Sequence, residues 1–170
     1  MTAFLLIWSP RKWPWPDLPE VCEAFVRSRE QQQVVIDNWG CGFSRSLMAG
    51  DRVFIHRVAK EPKGLFASGW VTRAPYEVPD VNRKRGYRLC IDFSYDWLVD
   101  AHREVVITRD ELRVHPFSVQ TWDAQTSGNV IKPMVEGPLE KLWAERTGGR
   151  RAPPAVVIPG PAAKAAQKQG

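Results

Sequence analysis

Hydrophobic residues in this chain come in short blocks cut by proline and glycine, and the first block is the most informative. Phe4-Leu5-Leu6-Ile7 ends in Trp8 and runs straight into Ser9-Pro10-Arg11-Lys12-Trp13-Pro14-Trp15-Pro16. A short apolar run bounded by proline predicts a buried strand rather than a helix. Trp13 and Trp15 both precede proline, which biases them toward extended geometry. Alternate side chains of an extended segment share a side, so the two rings should too. The result is a stiff loop presenting two aromatics beside Arg11 and Lys12, suited to a flat, electron-rich ligand such as a base. The competing structural reading is that the rings cover the end of the strand.

The pattern then alternates in type. Asp17 is placed to cap a helix with Pro19 in its first turn and Glu20 three residues on, and Val21, Cys22, Phe25 and Val26 follow at helical spacing. Val34-Val35-Ile36 begins a short strand leading to Trp39 and the Gly40-Cys41-Gly42 turn, and residues 43–48 suit one helical turn. Arg52 to Arg57 and Leu65 to Val71 read as strands joined by a loop at Glu61-Pro62-Lys63-Gly64, with Gly69 placed for a bulge. Residues 73–85 are polar and end in Asn82-Arg83-Lys84-Arg85. Tyr87 to Trp97 alternates as a long strand, with Leu89, Ile91 and Phe93 on one side. Thr108 caps a short helix, and Glu136 to Arg146 closes the pattern as an amphipathic helix facing Leu139, Leu142 and Trp143 inward. Short strands with two or three helices predict an α+β fold around a small β-barrel of mixed, mostly antiparallel sheet.

Charge changes the picture less than its sum implies. The formal net charge is +5, but five of the 24 Lys and Arg residues follow Glu145, the last acid, so residues 1–145 carry 19 of each sign. The chain is therefore not a uniformly basic nucleic-acid coat, although local basic patches remain. From Gly148 the composition shifts to Gly, Pro and Ala. This divides the sequence into a domain over residues 1–147 and a linker-like tail over 148–170. Three widely spaced cysteines, Cys22, Cys41 and Cys90, favour a reducing cytoplasm over a disulfide framework or zinc knuckle. No apolar run reaches the roughly 20 residues that span a bilayer.

The search for catalytic chemistry returns little. Phosphate-binding glycine loops, the nucleophile elbow and HExxH are absent, and His56, His102 and His115 are scattered, so neither a metal nor another cofactor is expected. His56 lies inside an apolar strand, where a core histidine is the default. An enzyme reading would place Asp51, His56 or Asp92 near a pocket. What stands out instead is an aromatic and polar set. A base read outside its helix needs ring faces to stack on and hydrogen-bonding groups for its edge.

WSPRKWPW, the segment Trp39…Gly50-Asp51-Arg52-Val53-Phe54-Ile55-His56, the strand Gly64 to Val71 and the late Trp122…Gln125-Thr126-Ser127-Gly128 resemble the EVE family of the PUA-like superfamily. That family is related to the YTH readers of methylated adenine in RNA. The resemblance covers about residues 3–146 and implies a small β-barrel flanked by helices with an aromatic-lined pocket. Bacterial members often form the first half of modification-dependent restriction enzymes fused to an HNH nuclease, where they bind modified cytosine flipped from duplex DNA. Many members carry Asn where this chain has Ser9, which would shorten any contact made there.

The resemblance implies Trp13, Trp15, Trp39 and Trp122 as walls of a base pocket and Ser9, Gln125 and Ser127 as edge contacts. Arg11, Lys12, Arg45, Arg83, Lys84, Arg85 and Arg88 are the candidate phosphate contacts. Trp8, Trp70, Trp97 and Trp143 are assigned to the core. The expected function is non-catalytic reading of 5-hydroxymethylcytosine or 5-methylcytosine in double-stranded DNA, with a fused HNH nuclease as a possible partner. The alternative is a modified-RNA or N6-methyladenine reader of the YTH and PUA type.

Overall fold

A computed structural model of the chain describes residues 1–149 and 156–159. The elements are β1 (Ala3–Trp8), α1 (Leu18–Glu30), β2 (Gln33–Gly40), β3 (Arg52–Arg57), β4 (Gly64–Pro79), β5 (Tyr87–Leu98), β6 (Ile107–Thr108), β7 (Asn129–Val130), α2 (Pro133–Thr147) and β8 (Val156–Pro159). One sheet holds every strand in the order β7-β1-β3-β4-β5-β2-β8, with β6 added alongside β4. The β1/β3 and β2/β8 pairs are parallel and the other ladders antiparallel. The fold is α+β with a mixed, mostly antiparallel sheet and two helices, as the pattern predicts. The sheet curls but does not close: β7 and β8 remain its two ends. The curl brings β2 back over β1, where the Trp39 indole donates to the Ile7 carbonyl at 3.3 Å.

β1 explains why its sequence shows no polar alternation. Phe4, Leu6 and Trp8 point into one core with Trp15, Val21, Phe25, Trp39, Ile55 and Phe66. Ala3, Leu5 and Ile7 point into a second core with Phe54, Leu65, Trp122, Leu139 and Trp143. A strand buried on both faces must be apolar at every position, although its side chains still alternate. Helix α1 packs on the first core through Val21 and Phe25, and α2 on the second through Val135, Leu139 and Trp143.

Several predicted boundaries move, each for a physical reason. β4 runs sixteen residues, straight through the stretch expected to be a polar loop, because its far half pairs with β5 from Tyr76↔Cys90 to Pro79↔Tyr87. The Gly69 bulge forms as expected. A Cβ there would lie 2.2 Å from the Ser94 carbonyl oxygen, so only glycine permits the strands to approach. Residues 43–48 form no helical turn. Asp17 stands at the cap of α1 without a side-chain bond. α2 begins at Pro133, placing Pro138 inside the helix rather than in its first turn. Most of the expected tail, 150–155 and 160–170, lies outside the described residues. Within it, Val156–Pro159 adds a parallel strand to β2.

The second core contains a buried ion network. Arg52 on β3 has no solvent exposure. Its guanidinium donates to Asp96 on β5 at 2.6 Å, to Glu140 on α2 at 2.8 Å and to the Gly69 carbonyl at 3.2 Å, while lying over the Phe54 and Trp70 rings. Asp96 also accepts a short hydrogen bond from Ser68, whose hydroxyl accepts from the Trp143 indole at 2.8 Å. Three strands and a helix thus converge on one guanidinium. Removing one partner of a buried pair leaves an uncompensated charge and costs roughly 3–5 kcal/mol. Arg52→Ala is therefore expected to lower the unfolding free energy by about that amount in urea titrations. Arg27→Ala, which deletes an exposed i,i+4 pair to Glu23 on α1, should change it by less than about 0.5 kcal/mol.

Candidate nucleic-acid interface

The exit of β1 builds the centre of the site. Residues 9–12 form a turn closed by the Lys12 and Trp13 amides on the Ser9 carbonyl, at 3.0 and 3.1 Å. Trp13 and Trp15 do share a side: their rings stack at 4.9 Å between centroids and 24° between planes. The route differs from the expected extended one, because Trp15 takes a left-handed φ of 45°. His102 Nε2 meets the Trp15 carbonyl at 3.0 Å and helps hold that conformation. Beneath the stack, Trp15 packs against Trp8 at 5.4 Å and Trp39 at 5.3 Å, and Trp39 meets Trp13 edge-on at 6.3 Å. Trp15 and Trp39 are sealed from solvent, and Trp13 is the partly exposed member of the group.

Trp122 is not part of this group, which corrects the expectation that it forms a fourth wall. It is buried in the second core, on the opposite face of the sheet, where its indole donates to the Phe117 carbonyl at 2.8 Å. Ser127 is equally structural. It is buried and its hydroxyl accepts from the Ile7 amide at 2.7 Å, pinning β1 beyond the point where β7 ends. Trp8 and Trp143 are core residues as expected, whereas Trp70 and Trp97 are only half-buried and each lies beneath an arginine, Arg52 and Arg29, at 4.7 Å.

A cavity of about 710 Å³ opens beside the turn. Such a volume falls within the roughly 300–1,000 Å³ of small-molecule sites. Ser9, Lys12 and Gln125, three of the sequence-derived candidates, line it together with Ile7, the 58–63 loop and residues of the 105–113 segment. Its charges are mixed: Lys12, Lys63, Arg109 and Arg113 against Glu61, Asp110 and Asp123. Arg109 and Asp123 form a bond of 2.8 Å. Burial would raise the Asp123 carboxyl, but Arg109 more than offsets it and holds the group below its ordinary range. The loop at the rim is fixed from below by Arg57. That guanidinium is buried over Trp8 and donates to the Lys60, Glu61 and Ala101 carbonyls. Sequence reasoning missed Arg57, because an arginine in an apolar strand gives no sign of the carbonyls it will serve.

The remaining cations separate. Arg11 and Lys84 are exposed, and Arg45 is tied to Glu77 and the Tyr87 hydroxyl at 3.3 Å. Arg83, Arg85 and Arg88 gather around a small notch with Gly42, Phe43 and Thr126, on the other side of the 123–128 loop from the cavity.

Asp51, Asp92, Cys22 and Cys41 are each engaged or held neutral. Asp51 accepts from the Thr2 and Met48 amides, and Asp92 from the Tyr76 hydroxyl at 2.6 Å. Burial pushes the Cys22 and Cys41 thiols up to about 12, far from thiolate reactivity. Among the described residues no three His, Cys, Asp or Glu side chains cluster as a metal site, and no helix is long and apolar enough to cross a membrane.

No protein-family model matches the chain, and no curated protein does. Solved structures do match. A hypothetical protein from Leishmania major superposes with a TM-score of 0.56 at 14% identity, over 85% of this chain and 96% of that one. A crystal structure from Pseudomonas putida superposes with a TM-score of 0.53 at 13% identity, over 82% and 98%. At these identities the likeness shows the fold alone.

His56 gives this region a pH response. It is fully buried, 6.2 Å from the Trp122 ring, and neither ring nitrogen has a hydrogen-bond partner. Burial pushes it down to about 4, only partly opposed by the Asp123 carboxylate and the Trp122 backbone. Its unfolded value is about 6.5, so between these limits the unfolded chain binds more protons and stability decreases as the pH is lowered. The contribution is fully present above about pH 6.5 and loses about 3 kcal/mol by pH 4. Urea unfolding at several pH values should reveal this slope, and His56→Leu should remove that part of it.

Proposed function

We propose that the chain is a non-catalytic reader of a modified base, with modified cytosine in duplex DNA as its target and a cytoplasmic restriction system as its setting. The reading rests on the resemblance to the EVE family, and one structural observation carries it. Trp13, partly buried and backed by the sealed rings of Trp15 and Trp39, does not itself line the large cavity but ends the same short turn that sends Ser9 and Lys12 to it. A ring supported in this way is held for stacking at no further cost in side-chain entropy.

The energetics constrain how such a reader works. Extruding a base costs a few kcal/mol, and a single aromatic stack returns roughly 1–3 kcal/mol. With Trp122 on the opposite face and Trp15 and Trp39 sealed, Trp13 supplies the stack and the remainder must come from polar contacts. Ser9 and Gln125 offer a hydroxyl and an amide to the base edge, and Lys12 a cation to the backbone. The mixed charge of the cavity, four cations against three acids, suits a neutral base better than the multiple negative charges of a free nucleotide. An HNH nuclease fused to or acting with this chain would supply cleavage.

Duplexes carrying cytosine, 5-methylcytosine, 5-hydroxymethylcytosine or N6-methyladenine at one position, with single-stranded modified RNA as competitor, test the reading. Tenfold tighter binding to one cytosine-modified duplex, about 1.4 kcal/mol, is the expected result. Trp13→Ala should weaken that binding by roughly 1–3 kcal/mol without loss of the fold, checked by thermal melting. Preferential capture by single-stranded RNA would move the protein to the RNA readers. Equal binding to all four duplexes would end the DNA-reading proposal. Trp39→Ala is the poorer probe, because a fully buried ring removed from the core destabilises by about 3–5 kcal/mol on its own.

A further inference from the structure

The arginine notch differs in kind from the cavity. Among the described residues its lining contains Arg83, Arg85 and Arg88 and no carboxylate, although Arg83 pairs outside it with Asp80 at 3.6 Å, whereas the cavity sets four cations against three acids. Arg85 is well fixed: its guanidinium lies over the Phe43 and Tyr87 rings at 4.7 and 4.9 Å and donates to the Tyr87 and Gly42 carbonyls at 2.8 and 3.2 Å. Arg88 is buried to within 5% of full coverage, yet its Nε has no hydrogen-bond partner. A buried donor left unmatched is costly, more so when charged, so an acceptor at this place has a ready energetic role. Phe43 forms the outer lip and is 75% exposed, an unusual setting for a ring held against a fixed cation.

We propose that this notch seats one backbone phosphate of the bound nucleic acid. Its volume is about 30 Å³, and a single water-sized probe takes roughly 10–15 Å³. The notch therefore accepts the outer oxygens of a phosphodiester lying across its mouth and excludes a whole nucleotide. Guanidinium groups suit this task because they present several donors in a fixed plane. Position supports the assignment. The 123–128 loop presents Asp123, Ala124 and Gln125 to the cavity and Thr126 to the notch, so a strand crossing this loop would reach both. The proposal rests on the nucleic-acid reading but not on which base is read. The notch holds the strand in register, and the cavity does the discriminating.

The test is the salt dependence of binding to an unmodified duplex, which separates the two claims. Each phosphate contact contributes about 0.9 to the slope of log affinity against log salt. Arg83→Gln/Arg85→Gln should lower the slope by about one contact and weaken binding about tenfold or more. The ratio between modified and unmodified duplex should stay unchanged wherever the parent shows one. Arg27→Gln, an exposed α1 cation, is the control, and thermal melts confirm that each variant is folded. A slope in the double variant equal to that of the control overturns the phosphate seat, whatever base preference the parent shows. Efficient displacement of the duplex by inorganic phosphate at matched ionic strength also overturns it, assigning the notch to a free anion. Failure of base discrimination in the parent with the slope change intact refutes base reading and leaves the seat standing.

Discussion

The constraint on which this structure depends is that β1 is buried on both faces. A strand with no solvent side must have every backbone group satisfied within the protein. β3 serves one edge along its whole length, but β7 on the other edge reaches only Phe4 and Leu5. Beyond that point side chains take over: Ser127 receives the Ile7 amide, and the Ile7 carbonyl accepts from the Trp39 indole. The backbone of one residue, Ile7, therefore ties together β1, β2 and the 123–128 loop. The turn that carries Trp13 leaves from the end of this strand, so the partly exposed ring stands on a backbone that the strand holds in place.

The polar groups inside the fold divide into two kinds. Arg52 is surrounded by partners from β4, β5 and α2, and its value is that four elements must be correctly placed before its charge is matched. Buried ion networks of this kind contribute weakly to net stability because desolvation offsets attraction, but they penalise incorrect packing severely. Arg57 acts in the same way on carbonyls, fixing the loop at the cavity rim. His56 and Arg88 are the other kind, with both His56 ring nitrogens and the Arg88 Nε unmatched, although Arg52 too leaves its Nη2 without a partner. His56 accommodates its setting by staying neutral. Arg88 is permanently charged and has no such option.

Charge is thus sorted by position rather than by total. The domain is neutral along residues 1–145, yet it contains a mixed-charge cavity and a carboxylate-free arginine notch on opposite sides of one short loop. A neutral ligand part and an anionic one can be accommodated separately at such a surface. A net-charge argument alone would have described it as indifferent to nucleic acid.

The sequence by itself determined the elements whose cause is local. The apolar run of β1, the Gly69 bulge and the alternation of β5 lead to their observed places because chain geometry and side-chain type decide them within a few residues. It also assembled Ser9, Lys12 and Gln125 as candidates that do share a cavity. Whatever required distant segments to meet was decided by the tertiary structure. β4 extends through a polar stretch because β5 is there to pair with it. Trp122 carries the same ring as Trp39, but the curl of the sheet places the two on opposite faces. Trp15 left the extended path its proline favours, because burying an indole among Trp8, Trp39 and Phe66 outweighs the local cost of a positive φ. Residue types specify which groups are available for a site; only packing decides which side of the sheet each one faces.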